Sequence, residues 1–171
     1  METLSIVPVD DIPKDIVDTP LTDLLAVYKV CKQLEDLCDK KEGIGLAAVQ
    51  AGIPWKLFIV KGDGTGVLSK GRYGYFVNCT YEPVGDDLID SVEGCLSLTS
   101  DDGKLRRFEL KRHKTIRVKG KKLTFQKGKD LTVVDFDETM HWHQQSCVFA
   151  HEADHTFGVL ISDKGKEVFL Y

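Results

Sequence analysis

Several features are missing or scarce in this chain of 171 residues, and each absence removes a class of protein. No stretch approaches the roughly 18 apolar residues of a membrane-spanning helix, so no membrane association is expected. The first residues, METLSIVPVDDIPKDIVD, are acidic and broken by proline. They show neither the basic start and apolar stretch of a secretory signal nor the Arg/Ser-rich character of a transit peptide. None of the five cysteines, Cys31, Cys38, Cys79, Cys95 and Cys147, forms a CxxC pair, and their number is odd. A disulfide framework is therefore not expected, and a reducing compartment fits better. An excess of positive charge is missing too. The formal net charge of -4 argues against a general nucleic-acid binder, and no sequence-specific nucleic-acid binding is expected. Together these absences point to a cytoplasmic protein.

What is present suits a folded domain. Apolar residues make up 42% and charged residues 29%, a balance that excludes a disordered chain. The length suits one domain with a real core, expected to span residues 1–171 without internal repeat or low-complexity linker. One segment, Lys104 to Lys129, is locally basic. It reads equally well as the solvated face of a β-hairpin and as a contact surface for a large anionic partner.

Leu24, Tyr28, Cys31, Leu34 and Cys38 recur at helical spacing and predict a helix from about Pro20 to Lys40. Thr19 would cap it, Pro20 would sit in its first turn, and the turn-rich stretch Lys40 to Gly45 would end it. Strands are predicted at Leu57 to Val60, Tyr75 to Tyr81, Thr115 to Val118, Leu123 to Phe125 and Leu131 to Phe136. Between two of them KGKK, Lys119 to Lys122, predicts a hairpin turn with Gly120 at positive φ. A second helix is predicted from about Glu138 to Thr156, ended by Gly158, with a last short strand at Val168 to Tyr171. A helix, many antiparallel strands and a helix make an α+β fold, with antiparallel sheets packed around the later helix.

That later helix carries the sharpest local signal, HEADH, His151 to His155. Residues four apart share a helical face with Cβ atoms about 5–6 Å apart, so two imidazoles can grip one ion. Glu152 stands beside the first, where a carboxylate can handle the proton of an activated water. The bland alternative is a surface helix that happens to carry two histidines. A catalytic site normally needs a third protein ligand and an open position. Cys147 cannot join both histidines, because it lies about 12 Å along the axis from His155 at 1.5 Å per residue. The longer zinc-protease pattern HExxHxxGxxH is matched through Gly158 and then fails at Ile161. Glu167 sits in a tail too short for a further ligand-bearing helix, and His141 and His143, two apart on the predicted helix, face different ways. Cys95, in Glu93-Gly94-Cys95-Leu96-Ser97, is the better candidate, since a thiolate is a strong ligand and the glycine before it permits close approach. A small buried cysteine is the competing reading.

Three segments together, GIGLAAVQ (Gly43 to Gln50), EGCLS (Glu93 to Ser97) and HEADH, resemble the three signature motifs of the peptide deformylase family, each complete and in the family's order. The resemblance covers about Pro20 to Ile161. It implies metal-dependent removal of the formyl group from N-terminal formyl-methionine of nascent polypeptides. It implies one divalent ion per chain on Cys95, His151 and His155, with ferrous iron ranked first and zinc, nickel or cobalt as alternatives. Glu152 would take a proton from water and return it to the leaving amine. The Gln50 side-chain amide and the Leu96 backbone N–H would receive the developing oxyanion. Substrate contacts would come from Gly43, Ile44 and Gly45, and from Glu93, Gly94 and Arg107, with Gly45 and nearby backbone pairing to an extended peptide. Arg112 would pair with Glu93 or Glu42 and brace the cysteine strand. The partners implied are formyl-Met nascent peptides and the ribosome surface, met by a monomer in a bacterial or phage-infected cytoplasm. The chain departs from the family pattern in a longer, more charged segment from Leu98 to Leu110, and in Thr99 and Ser100 where a proline usually follows. Ala150 stands where glutamine precedes the third motif, and the end after Ile161 is short, as in compact phage-encoded forms. An HExxH metallopeptidase and a non-catalytic, metal-stabilised binding module are the rival readings.

The two candidate cysteines can be told apart by metal analysis. Cys95→Ala should abolish stoichiometric metal, whereas Cys147→Ala should leave one ion per chain; the reverse result would overturn the assignment.

Overall fold

The computed structural model describes residues 3–64, 68–126, 130–141 and 144–169, except for the side chains of residues 144 and 145. In chain order its main elements are α1 (Leu24–Lys40), β1 (Gly45–Ala47), β2 (Leu57–Lys61), β3 (Tyr73–Pro83), β4 (Leu88–Thr99), β5 (Leu105–His113), β6 (Thr115–Gln126), β7 (Asp130–His141), α2 (Gln144–His155), α3 (Ile161–Lys164) and β8 (Lys166–Val168). Two antiparallel sheets result, one of order β1-β2-β3-β6-β7 and one of order β4-β5-β8. Helix α2 packs on β1, β2 and β3, so the α+β expectation of sheets around an HExxH-bearing helix is met.

Helix α1 buries Val27, Cys31, Leu34, Leu37 and Cys38 along one face, as its periodicity predicts. It begins at Leu24 rather than Pro20, and its cap is Asp23, whose carboxylate accepts from the Ala26 N–H at 3.0 Å. Thr19 is occupied elsewhere. Its N–H donates to Asn78 Oδ1 at 2.7 Å and its carbonyl accepts from Asn78 Nδ2 at 3.4 Å.

Two other expectations are corrected. The KGKK segment is not a turn but the middle of β6, which pairs with β7 without interruption from Thr115↔His141 to Gln126↔Asp130. Gly120 is needed for close approach rather than positive φ. A Cβ there would stand 2.6 Å from the Cys79 Cα, opposite a bulge where the β3–β6 register shifts between Val77 and Thr80. The second helix starts at Gln144, not Glu138, because Glu138 to His141 complete the ladder of β7 against β6. Pairing along a whole neighbouring strand outweighs weak local helix propensity. His141 therefore ends a strand and is exposed, while His143 lies outside the described residues.

Within the basic segment, three exposed cations of β6 are answered by neighbouring acids. Arg117 pairs with Asp137 and Lys121 with Asp135, each at 2.8 Å, and Lys119 reaches Glu82 at 3.4 Å. These cross-strand acids balance the charge that the linear sequence leaves uncompensated. The last strand is Lys166–Val168, paired at the edge with β5, earlier than the expected Val168 to Tyr171, and Phe169 after it is 73% exposed. Leu170 and Tyr171 lie outside the described residues.

The packing that holds α2 is aromatic. Phe149 is fully buried and its ring lies 4.3 Å from Phe76, 5.2 Å from Phe58 and 5.8 Å from Phe136. Each of these strand phenyls comes from a different strand, β2, β3 and β7, so one helical side chain locks the helix onto the large sheet. Phe149→Ala should cost about 3–5 kcal/mol of unfolding free energy, read from the urea midpoint; a loss below about 1 kcal/mol would contradict this anchoring role.

Candidate active site

Strand β4 and helix α2 come together at three side chains. Cys95 Sγ, and one ring nitrogen each of His151 and His155, lie within 4.8 Å of one another, and all three residues are buried. The Cys95 Sγ to His155 Nε2 distance is 3.4 Å. Two ligands held tetrahedrally at about 2.3 Å for sulfur and 2.1 Å for nitrogen stand about 3.6 Å apart, so the spacing suits one ion. Cys147 is absent from this cluster; it lines the neighbouring cavity, half-buried, one helical turn earlier.

Each histidine has its second nitrogen engaged. His151 Nδ1 is 2.9 Å from Glu93 Oε2, and His155 Nδ1 is 3.1 Å from the Val159 carbonyl. A donor proton at each Nδ1 leaves Nε2 as the free electron pair, the tautomer a metal ion requires. Burial, and then the neighbouring His151, push the His155 pKa well below the ordinary range, which keeps it neutral. Burial opposes charge on His151 as well, but Cys95 and Glu93 outweigh it and favour the protonated ring in the metal-free protein. A divalent cation competes with that proton for the same nitrogen.

The brace behind His151 is Arg112, 5% exposed. Its Nε and Nη2 donate to the two Glu93 oxygens at 2.8 Å, and its Nη1 donates to Asp154 Oδ2 at 2.7 Å. Of the two acids considered for this arginine, Glu93 is the partner. Burial alone would raise the Glu93 pKa, but Arg112 and His151 overcome it and hold the carboxyl well below the usual range. Asp154 also accepts from Tyr81 Oη at 2.7 Å and from Lys164 Nζ at 2.8 Å. Asp154, Tyr81 and Lys164 were not singled out from the sequence. Asp154 lies inside HEADH and was legible as a polar group on a buried helix; Tyr81 and Lys164 carry no such signal.

Glu152 is 4% exposed and its Oε2 has no hydrogen-bond partner. Burial pushes its pKa up to about 7. The carboxylate lies hard against Gly45, where a Cβ would come within 2.6 Å of Glu152 Oε1. A buried, unpartnered carboxylate oxygen beside three converging ligand atoms is unusual, since such groups are normally satisfied; it fits a site built to receive an ion and its water. Gln50, 2% exposed, points its Nε2 at Cys95 Sγ, 3.4 Å away.

A cavity of about 630 Å³ opens beside these groups. Gly43, Ile44, Gly45, Gly94 and Arg107 line it, together with Gln50, Leu96 and Glu152. Glu93 also lines it, though its oxygens are engaged by Arg112 and His151. The cavity lies between the short edge strand β1 and the edge strand β4. Unpaired edges of this kind can accept an extended peptide.

Comparison with known proteins gives a consistent picture. A family model described as polypeptide deformylase matches residues 6–168. Peptide deformylase 2 of Clostridium perfringens is 28% identical over 154 residues, covering 90% of this chain and 86% of the relative. Peptide deformylase 1 of Prochlorococcus marinus is 28% identical over 148 residues, 81% of this chain and 67% of its own. Among solved structures, the Thermotoga maritima peptide deformylase superposes with a TM-score of 0.72 at 25% identity, covering 96% of this chain and 98% of that one. A probable peptide deformylase from a Synechococcus phage shares the fold, with a TM-score of 0.68 at 22% identity over 94% of this chain and 99% of that one.

Removing Arg112 should expose how much of the site it supports. Arg112→Met leaves Glu93 and Asp154 buried without their shared cation, and is expected to destabilise the protein by about 3–5 kcal/mol. Chemical denaturation measures this; a variant as stable as the parent would show that the fork contributes nothing to the fold.

Proposed function

The chain belongs to the polypeptide deformylase family, metal-dependent hydrolases, and on that premise we propose how its own residues divide the work of releasing formate from formyl-methionyl peptides. One observation carries the assignment: Cys95, His151 and His155 converge within 4.8 Å beside the unpartnered Glu152 Oε2.

These three residues would hold one divalent ion, which supplies Lewis acidity and makes water a competent nucleophile near neutral pH. The Cys/His/His donor set suits ferrous iron, ranked first here, and also zinc, nickel or cobalt. Glu93 and the Val159 carbonyl keep both imidazoles turned with Nε2 inward. Glu152 accepts the proton of the attacking water at its free Oε2 and delivers it to the departing amine nitrogen. The new C–O bond forms first and puts charge on the formyl oxygen; the C–N bond then breaks as the amine nitrogen takes the proton, giving formate and a free N-terminus. Gln50 Nε2–H and the Leu96 backbone N–H donate to the oxygen that gains charge. Loss of one such donor typically costs about 3–4 kcal/mol of barrier.

Substrate would lie extended between the Gly43–Gly45 edge and Gly94, with Arg107 over the far side of the groove. The formyl carbon carries only hydrogen, and we propose that the approach past Glu152 is narrow, its carboxylate lying too close to residue 45 for a Cβ there. That narrowness would admit a formyl group and exclude bulkier acyl groups.

We propose further that the working unit is a monomer of one catalytic domain, residues 1–171, acting in the cytoplasm on chains emerging at the ribosome surface. No helix among the described residues is long and apolar enough to cross a membrane. The non-catalytic alternative is disfavoured because the ligand cluster among the described residues ends at three, whereas structural zinc sites usually close with four.

Anaerobic purification, metal analysis and formate release from formyl-Met peptides test this reading directly. Glu152→Ala should retain one ion per chain yet lose about a hundredfold or more in turnover. Near-normal formate release from that variant would remove Glu152 from the mechanism.

A further inference from the structure

We propose that Ser97 is a positioning residue for this hydrolysis, holding one amide hydrogen of Gln50 so that the other is aimed at the developing oxyanion. The inference rests on the assignment of Gln50 as an oxyanion donor made above.

Gln50 is restrained at three atoms. Its backbone carbonyl accepts from the Val7 N–H at 2.9 Å. Its side-chain Oε1 accepts from the Ala47 N–H at 2.9 Å. That second bond decides the orientation of the amide, because only the oxygen end can face an N–H. Nε2 is therefore turned toward β4. There it donates to Ser97 Oγ at 3.0 Å and lies 3.4 Å from Cys95 Sγ.

Cys95 and Ser97 stand in the irregular part of β4, where its register with β5 shifts between Gly94 and Thr99, and the one nitrogen reaches both side chains. An amide nitrogen carries two hydrogens. The serine hydroxyl is the better acceptor and takes one of them. The second is left pointing at the sulfur, on the side where the substrate carbonyl must lie if Cys95 holds the ion. Without Oγ, the amide keeps the Ala47 bond at Oε1 and only the longer, weaker contact of Nε2 with Cys95 Sγ, and it can pivot about the Ala47 bond. The loss falls on a donor whose value depends on its aim in the transition state, not on ground-state binding.

The test is steady-state formate release from a formyl-Met peptide by the metal-loaded parent, Ser97→Ala, Ser97→Thr, Gln50→Ala and the Gln50→Ala/Ser97→Ala double variant, with metal content measured for each. Ser97→Ala should lower kcat about tenfold with KM within about twofold and one ion still bound. Ser97→Thr keeps the hydroxyl and should recover most of the rate. The double variant should be no slower than Gln50→Ala, because a residue acting only through Gln50 has nothing left to position. In the zinc-loaded, 15N-labelled protein, the Gln50 side-chain amide signals, identified by their loss in Gln50→Ala, should shift in Ser97→Ala. Three results would overturn the inference on Ser97 alone: loss of metal from Ser97→Ala, an unmoved Gln50 amide signal, or fully multiplicative losses in the double variant when Gln50→Ala is itself slow. A Gln50→Ala enzyme as fast as the parent would overturn the assignment of Gln50 and this inference with it.

Discussion

Arg112 joins the two elements that must meet for this site to exist. Cys95 stands on β4, while His151 and His155 stand on α2, far away in sequence. The guanidinium donates to Glu93, two residues before the cysteine, and to Asp154, next to the second histidine. A rigid planar fork with donors on several edges suits this task better than the flexible ammonium of lysine. The bond from Glu93 to His151 then closes the loop, because the acid that anchors the strand also turns the imidazole. Strand position, helix position and ring orientation thus depend on one buried cation. Two carboxylates around it keep the charge compensated, which a buried arginine requires.

Packing sets the distance at which that connection operates. Phe149 inserts into a cluster with Phe58, Phe76 and Phe136 on the large sheet, and it lies two residues before His151 on the same helix. On the helix's next face Glu152 rests on Gly45, a contact that no other residue at position 45 would allow without displacement. The core and the chemistry therefore share one helix: Glu152, three residues after Phe149, lies beside the apolar anchor, while His151 and His155 face away from it. The motif glycine is needed because a carboxylate occupies the space where a Cβ would go.

The site also shows how many polar groups a small domain can bury when each is answered. Gln50, Arg112, His151, Asp154 and His155 are all buried, and each has a hydrogen-bond partner within the protein. Glu152 Oε2 stands apart as a buried oxygen without one. In a low-dielectric setting such an oxygen holds a proton more readily than it would in water, which suits a group that must accept a proton and then release it.

Local pattern was enough to reveal the amphipathic helix α1, the strands β2, β3 and β7, the two ends of β6, and the two histidines four apart, but not β1, β4 or β5. Each of these rests on spacing along the chain: 3.6 residues per turn, two per pleat, one helical face. The third ligand was legible only as a candidate, since nothing in the linear spacing of Cys95 says which helix lies opposite its strand. Where longer-range pairing competes with local preference, the sequence misleads. Glu138 to His141 look like a helix start but extend β7, and Lys119 to Lys122 look like a turn but lie in mid-strand, because β6 and β7 bind each other along their whole length. The Arg112–Asp154 link, with Tyr81 and Lys164 around it, likewise exists only after folding brings β3, β5, α2 and α3 to one point. The sequence by itself determined the chemistry available, down to residue types and helical faces. Tertiary structure decided which of those groups face one another, because side chains distant in the chain meet only through packing and strand register that no local pattern encodes.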